Sequence, residues 1–386
     1  MSIDIAYVAA GRLHVKFGDA APRHIESKFA SESRERLLRV EARNAWKTQG
    51  SGAQFMHGRL LWGREAKERD IAPIQVRSVT RGPRPSHVLY SLLGEQVGGL
   101  FAFDPEAVEE RRIIHGVEHV YNDLALHGER GLLACSVPKR DGSAAIAMMG
   151  TDLSDYAELT EGDSIDGNPS WVPGEGRAIV FESAGIARDR SGAMVSLSPS
   201  AIQKLDVASG SLETLAEEPN VDLMQPRMSA NGDLYYIRRP HLGIGKPSFW
   251  RANLDFLMFP VRLLFALLQF LNFFSTRYGG KPLTTAGSRQ QKGADMRQMM
   301  AWENLMKADD AAQEPGEPKA LVPASFQLVR QRGIRSETIA KSVGAYDLAE
   351  DGSIVYSTGN AVYHLDPDGR RTRICEGAAI THVVLL

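Results

Sequence analysis

GNPSWVPGEGRAIVFES, residues 167–183, decides the fold. It reads as a strand ending Pro169-Ser170-Trp171, a glycine-marked turn at Gly174–Gly176 and a second strand Ala178–Ser183. Weaker copies recur along the chain. Repetition of one small unit predicts radial repetition of sheets around a centre.

Working outward, the same grammar holds on both sides. Ile74–Thr80, His87–Leu93, Gly99–Asp104 and Arg111–His115 form one group of four strands. Asp123–His127, Leu132–Val137, Ala144–Gly150 and Tyr156–Thr160 form the next. Pro169–Val172, Ala178–Ser183, Ser200–Val207 and Leu212–Glu217 follow. Pro226–Ser229 and Asp233–Arg239 are separated by residues 240–324 from Ser325–Arg330 and Ser336–Lys341. The last group is Ala345–Ala349, Ile354–Thr358, Ala361–Asp366 and Thr372–Glu376. Third strands end at Asp104, Asp206 and Asp366, each followed by turn chemistry.

Residues 3–27 hold only three strands, Ile5–Ala9, Arg12–Phe17 and Arg23–Ser27, with the leading one missing. ITHVVLL (380–386) is an apolar strand with no group of its own. Docked before Ile5, it supplies the missing strand and leaves no open edge. The expectation is an all-β, six-bladed β-propeller, one domain over 1–386, with two mainly helical insertions. The first, 28–73, joins blades 1 and 2. It holds a helix from residue 28 to about 50, with Phe29, Leu37, Leu38, Val40 and Trp46 on one face, then a hairpin at Phe55–Gly63. The second, 240–324, interrupts blade 5.

The second-strand motifs resemble the repeat of TolB-like propellers, roughly Pro-x-Trp-Ser-x-Asp-Gly-x-x-Ile-x-Phe-x-Ser. PSWVPGEGRAIVFES (169–183) matches best; QPRMSANGDLYYIRR (225–239), AYDLAEDGSIVYST (345–358) and the looser DLALHGERGLLACS (123–136) follow. The resemblance implies a fold and a partner-binding role rather than a chemistry.

Composition excludes several classes. A net charge of -2 over 386 residues gives no overall nucleic-acid signature. Two cysteines, Cys135 and Cys375, make neither a disulfide framework nor a metal spacing, and they suit a reducing compartment. MSIDIAYVAAGRLHVKF lacks the pattern of a secretory signal, so a cytoplasmic location is expected, peripheral at the inner face of a membrane. No catalytic residue, metal or cofactor is expected. HGVEH (115–119) has the spacing of inverted zinc peptidases, but it lies at a blade junction and not on the helix that chemistry needs. Asp366-Pro367-Asp368-Gly369 reads as a hairpin turn, since arginines follow where a calcium loop needs oxygen ligands. Gly243-Ile244-Gly245-Lys246 lacks the spacing of a phosphate loop.

The departure from blade grammar is DFLMFPVRLLFALLQFLNFFSTRYGG, 255–280. Phe256, Leu257, Met258, Phe259, Leu263, Leu264, Phe265, Leu267, Leu268, Phe270, Leu271, Phe273 and Phe274 cover nearly all of one helix, bracketed by Trp250 and Tyr278. Arg262, Gln269 and Asn272 within the run, and the need to return to blade 5, disfavour a span. A helix lying in the interface fits, with Arg251, Arg262, Arg277 and Lys281 on anionic headgroups. The function expected is a non-catalytic scaffold that docks to an anionic membrane surface and recruits protein partners. The alternatives are an obligate subunit whose apolar helix a partner buries, and a propeller hydrolase or lyase. Both insertions fall on connections that leave a four-stranded meander on the same side, so one face is decorated and the other carries short loops.

Overall fold

The computed structural model describes residues 3–44, 74–94, 97–241 and 318–386. These are strands almost throughout, with one helix. The first strands are β1 (Ile5–Ala9), β2 (Arg12–Lys16) and β3 (Arg23–Ile25), followed by α1 (Lys28–Asn44). A four-stranded antiparallel meander comes next: β4 (Gln75–Arg81), β5 (Val88–Leu93), β6 (Gly98–Asp104) and β7 (Glu109–Gly116). A nine-stranded sheet holds β8 (Asn122–His127), β9 (Leu132–Pro138), β10 (Ala144–Gly150), β11 (Ala157–Glu158), β12 (Ser164–Trp171), β13 (Ala178–Arg188), β14 (Met194–Leu197), β15 (Ala201–Asp206) and β16 (Ser211–Ala216). Its two halves are meanders joined only by one parallel bridge, Ala144 to Ile165. Then come β17 (Val221–Met228), β18 (Leu234–Pro240), β19 (Gln327–Arg332) and β20 (Arg335–Lys341), and β21 (Ala345–Leu348), β22 (Ile354–Ser357), β23 (Ala361–Leu365) and β24 (Arg371–Glu376). Finally β25 (Ile380–Leu385) pairs antiparallel with β1, Ile5 opposite Leu385, giving the order β25-β1-β2-β3. The displaced strand of the first group is therefore supplied from residues 380–385.

Packing follows the same circuit. Val8 and Val15 of the first sheet meet Val88, Tyr90 and Phe101 of the second. Leu89 and Leu100 meet Leu126 and Leu133; Ala134 and Ile146 meet Ile179 and Phe181. Ile202 meets Leu223 and Tyr236, and Tyr235 meets Tyr346 and Tyr356. Ala345, Val355 and Val362 then pack on Ile5, Tyr7 and Val383, returning to the first sheet. Each such buried aliphatic or aromatic side chain contributes about 1.5–3 kcal/mol.

Two sequence expectations need correction. The outer strand expected at Tyr156–Thr160 shrinks to the two residues of β11, because Thr160 turns its hydroxyl onto the Ile146 amide (2.9 Å) and Leu159 donates to the Ile146 carbonyl (2.7 Å). Residues 184–198 extend β13 and form the β13–β14 hairpin, an addition to the four strands expected in that group. α1 does not bury one face along its length. Ser27 caps it through the Ala30 amide, Glu110 accepts from Phe29 N and from the Ser27 hydroxyl, and Phe29 sits between Phe101 and His115. Beyond that first turn the sheet falls away, and Leu38 and Val40 are about half exposed, at 49% and 51%. The connection between β18 and β19 runs from residue 241 to 326. Pro240 ends β18, and residues 319–322 are already seated: Leu321 and Val322 donate to the Thr358 carbonyl and Asn360 holds the Lys319 carbonyl. Trp46, the hairpin at 55–63 and Gly243–Lys246 lie outside the described residues.

Candidate functional site

Six strands converge on a cavity of about 30 Å³. Ser78 reaches it from β4, Asp123 from the start of β8, Asn168 from β12, Gln225 and Arg227 from β17, Tyr346 from β21 and His382 from β25. β8, β12 and β17 each carry a register shift at this point. At the shifts Asp123, Asn168 and Gln225 adopt positive φ, 51°, 49° and 51°. Such backbone is held only where surroundings over-determine it. Here the turned amides bond across strands: Asn168 N donates to Asp123 Oδ2 (3.2 Å), and Gln225 N to Glu182 Oε2 (2.8 Å).

The bonding continues through the remaining strands. Leu124 N donates to Ser78 Oγ (2.8 Å), and the Tyr346 hydroxyl to the Gln225 carbonyl (2.7 Å). Leu385 N donates to Asp347 Oδ2 (3.0 Å), whose other oxygen lies 3.4 Å from Arg227 Nε. Val76 N donates to the Gly11 carbonyl (2.9 Å). Burial lowers the pKa of the His382 imidazole; the Asp123 carboxylate opposes the shift and Arg77 adds to it. Burial likewise raises the Tyr346 phenol. The cavity admits one or two water-sized groups. Its polar atoms serve chiefly to tie neighbouring sheets together.

A second cluster marks the root of the long insertion. Buried Asp222 accepts from Arg239 Nε (3.0 Å) and Ser200 N (3.2 Å), and its Oδ1 lies 2.6 Å from His241 Nδ1. Glu218 takes Arg238 in a two-pronged pair, and Arg239 stacks over Phe326 (5.6 Å). These groups pin the outgoing chain at 238–241, while residues 319–322 pin its return.

The expected membrane or partner residues Trp250, Phe256–Phe259, Leu263–Phe265, Leu267, Leu268, Phe270, Leu271, Phe273, Phe274 and Tyr278 lie outside the described residues, as do Arg251, Arg262, Arg277 and Lys281. The HGVEH residues do not gather. His115 packs on Phe29, Glu118 pairs with Arg140 (2.8 Å), and His119 Nδ1 meets the Tyr121 hydroxyl (3.1 Å). Among the described residues, no three His, Cys, Asp or Glu side chains are placed to hold a metal. Asp366 forms the expected turn, accepting from Gly369 N through its carbonyl and from Arg370 N through its carboxylate. Trp171 of the best repeat donates its indole N–H to the Ala125 carbonyl (3.0 Å), stapling β12 to β8.

No family model matches the chain, and no curated protein matches it. Among solved structures, TolB from Acinetobacter baumannii aligns with 99% of this chain at a TM-score of 0.52 and 12% identity. This chain spans 66% of the length of that structure. A chain of the nidogen/laminin complex aligns at a TM-score of 0.49 and 8% identity over 99% of this chain and 97% of its own. Putative TolB from Agrobacterium tumefaciens aligns at 0.43 and 14%, over 80% and 83%. The likeness is one of fold: the chain is similar to TolB-like β-propellers.

Proposed function

We propose that the chain is a non-catalytic platform, a six-bladed propeller whose nine-stranded sheet counts as two blades. Its decorated face docks on an anionic membrane surface and its other surfaces recruit protein. The observation that carries this reading is where the fold departs from a minimal meander. α1 follows a fourth strand, the β13–β14 hairpin lies between a second and a third strand, and so does the long insertion. In an antiparallel meander those connections share one side. The central cavity, small and bonded across its strands, supports a structural rather than a catalytic role.

The membrane contact rests on the apolar run 256–274 with its basic flanks. Among the described residues, no helix is long and apolar enough to cross a membrane. Cys135 and Cys375 are free and buried in different interfaces, which suits the cytoplasmic side.

Vesicle flotation tests the reading. The intact protein is compared with a variant whose residues 242–317 are replaced by a Gly/Ser linker, leaving the His241 and Lys319 anchors in place. The intact chain floats with anionic vesicles, less so at high salt, and the variant does not. An intact chain that stays unbound and monomeric removes the membrane contact. An intact chain that is insoluble alone and rescued by co-expression with a partner moves the helix to a protein interface.

A further inference from the structure

A larger cavity lies on the opposite, short-loop side. It is a groove of about 320 Å³ between the β4–β7 sheet and the 151–155 loop of the next. That volume is within the range of built ligand sites. Its floor is apolar: Leu89 and Phe103 are buried, and Ala102 and Ile113 are half-buried beside them.

Its rim is charged and unevenly satisfied. Asp104 is committed, accepting from Glu106 N (2.9 Å) and Ala107 N (3.1 Å) and lying 3.4 Å from His87 Nε2. Arg84 and Arg111 stand exposed over the apolar floor. The Ala107 amide is the main cause holding the Asp104 carboxyl below its usual value, and Arg84 lies near enough to help. Neither arginine makes a close ion-pair contact among the described residues. Glu109 is the one rim carboxylate likewise without a pair.

The three loops around this groove carry four of the left-handed non-glycine residues. Ser86 (φ 62°), Val108 (53°), Leu153 (70°) and Asp155 (52°) all hold left-handed backbone without being glycine. Val108 and Leu153 hold it although neither has the short polar side chain that tolerates this region. The Asp104 carboxylate, accepting from Glu106 N and Ala107 N, and the Asp152 carboxylate, accepting from Ser154 N, fix their turns. Such residues concentrate where a loop is shaped for a ligand.

We propose that this groove binds the C-terminal end of a partner polypeptide, its last apolar side chain on Leu89 and Phe103 and its α-carboxylate between Arg84 and Arg111. A guanidinium presents the paired N–H geometry that a carboxylate accepts, and both arginines line the groove. A single negative charge fits better than a phosphate, because Asp104 and Glu109 face the same space. The choice of a protein ligand rests on the platform reading above. Flotation probes that reading through residues 242–317, so the two fail separately.

The test is fluorescence anisotropy with a dye-labelled Gly-Ser-Gly-Leu-Leu peptide as free acid and as C-terminal amide, using the full chain. The free acid binds at least tenfold more tightly than the amide. Arg84→Gln and Arg111→Gln each weaken it about tenfold or more, as loss of a charged hydrogen bond does, with melting temperatures unchanged because both side chains are exposed. Glu109→Gln strengthens it by removing a competing carboxylate. Equal binding of acid and amide, or arginine variants that bind as the parent does, overturns the proposal. Displacement of the peptide by equimolar inorganic phosphate also overturns it, since the site then reads only charge.

Discussion

The strands that meet at the centre and those at the periphery follow opposite rules. Around the central cavity, polar side chains are enclosed and the backbone is bent into positive φ so that each sheet can bond the next. At the periphery, β16, β20 and β24 present exposed charged residues: Glu337 of β20 reaches from solvent to half-buried Arg330 (2.8 Å), and the Arg373–Glu376 pair of β24 (2.9 Å) stays in solvent. The contrast teaches that directional bonds specify the arrangement at the centre, while the rim is charged to keep its edges unpaired with other chains.

Perturbations should rank accordingly. Val383→Asp places a charge in the apolar contact between β25 and the last sheet. It should cost about 3 kcal/mol or more, a large share of a typical total stability, and thermal melts should broaden or vanish. A Val383→Asp protein that melts as sharply as the parent breaks the claim that this junction holds the circuit. Gly359→Ala comes next, because its φ is +88° and an added Cβ would lie 2.8 Å from Leu321 Cβ. About 1–3 kcal/mol should be lost, with faster amide exchange at 321–322, where both residues bond Thr358.

Tyr346→Phe removes the donor to the Gln225 carbonyl. A shift in urea midpoint equivalent to about 1–2 kcal/mol at unchanged m-value is expected; no shift would mean the bond is replaceable. The pH effect is smaller and its sign is fixed. His382, His14 and His127 have lowered values, burial being the leading cause for each. The unfolded chain therefore binds more protons in the window below about 6.5. Stability present at neutral pH is lost as pH falls through that window. His382→Asn should flatten part of that fall in melts taken between pH 7 and 5; an unaltered slope assigns it to the other two histidines. Last, Glu337→Ala at the rim should change stability by less than about 0.5 kcal/mol.

Much of this contrast was legible in the sequence, and the reason is local. Pro169-Ser170-Trp171, the Asp-turn endings and the apolar 380–386 stretch carry their information in neighbouring residues, and each took the expected position. The bends at Asp123, Asn168 and Gln225 carry no such mark, because what holds them comes from another strand: the Ser78 hydroxyl beside Asp123, and a carboxylate 43 or 45 residues away for the other two. α1 misled for the same reason: its period is helical, but what covers Leu38 and Val40 is a tertiary matter. The groove between Arg84 and Arg111 combines three loops separated by up to about seventy positions, none of them a motif. The β13–β14 hairpin did leave a signal, the Asp189-Arg190-Ser191-Gly192 turn, in which the Asp189 carboxylate accepts from Ser191 and Ala193 amides.

The pairing of β25 with β1 also orders events during synthesis. Ile5 waits for Leu385, so β1 emerges from the ribosome without its inner neighbour. At typical elongation rates that wait lasts roughly 20–75 seconds. During it, a strand made of Ile5, Ala6, Tyr7, Val8 and Ala9 exposes apolar side chains and free amides that are later enclosed. Pairing between strands so distant in the chain is of the long-range kind that folds slowly.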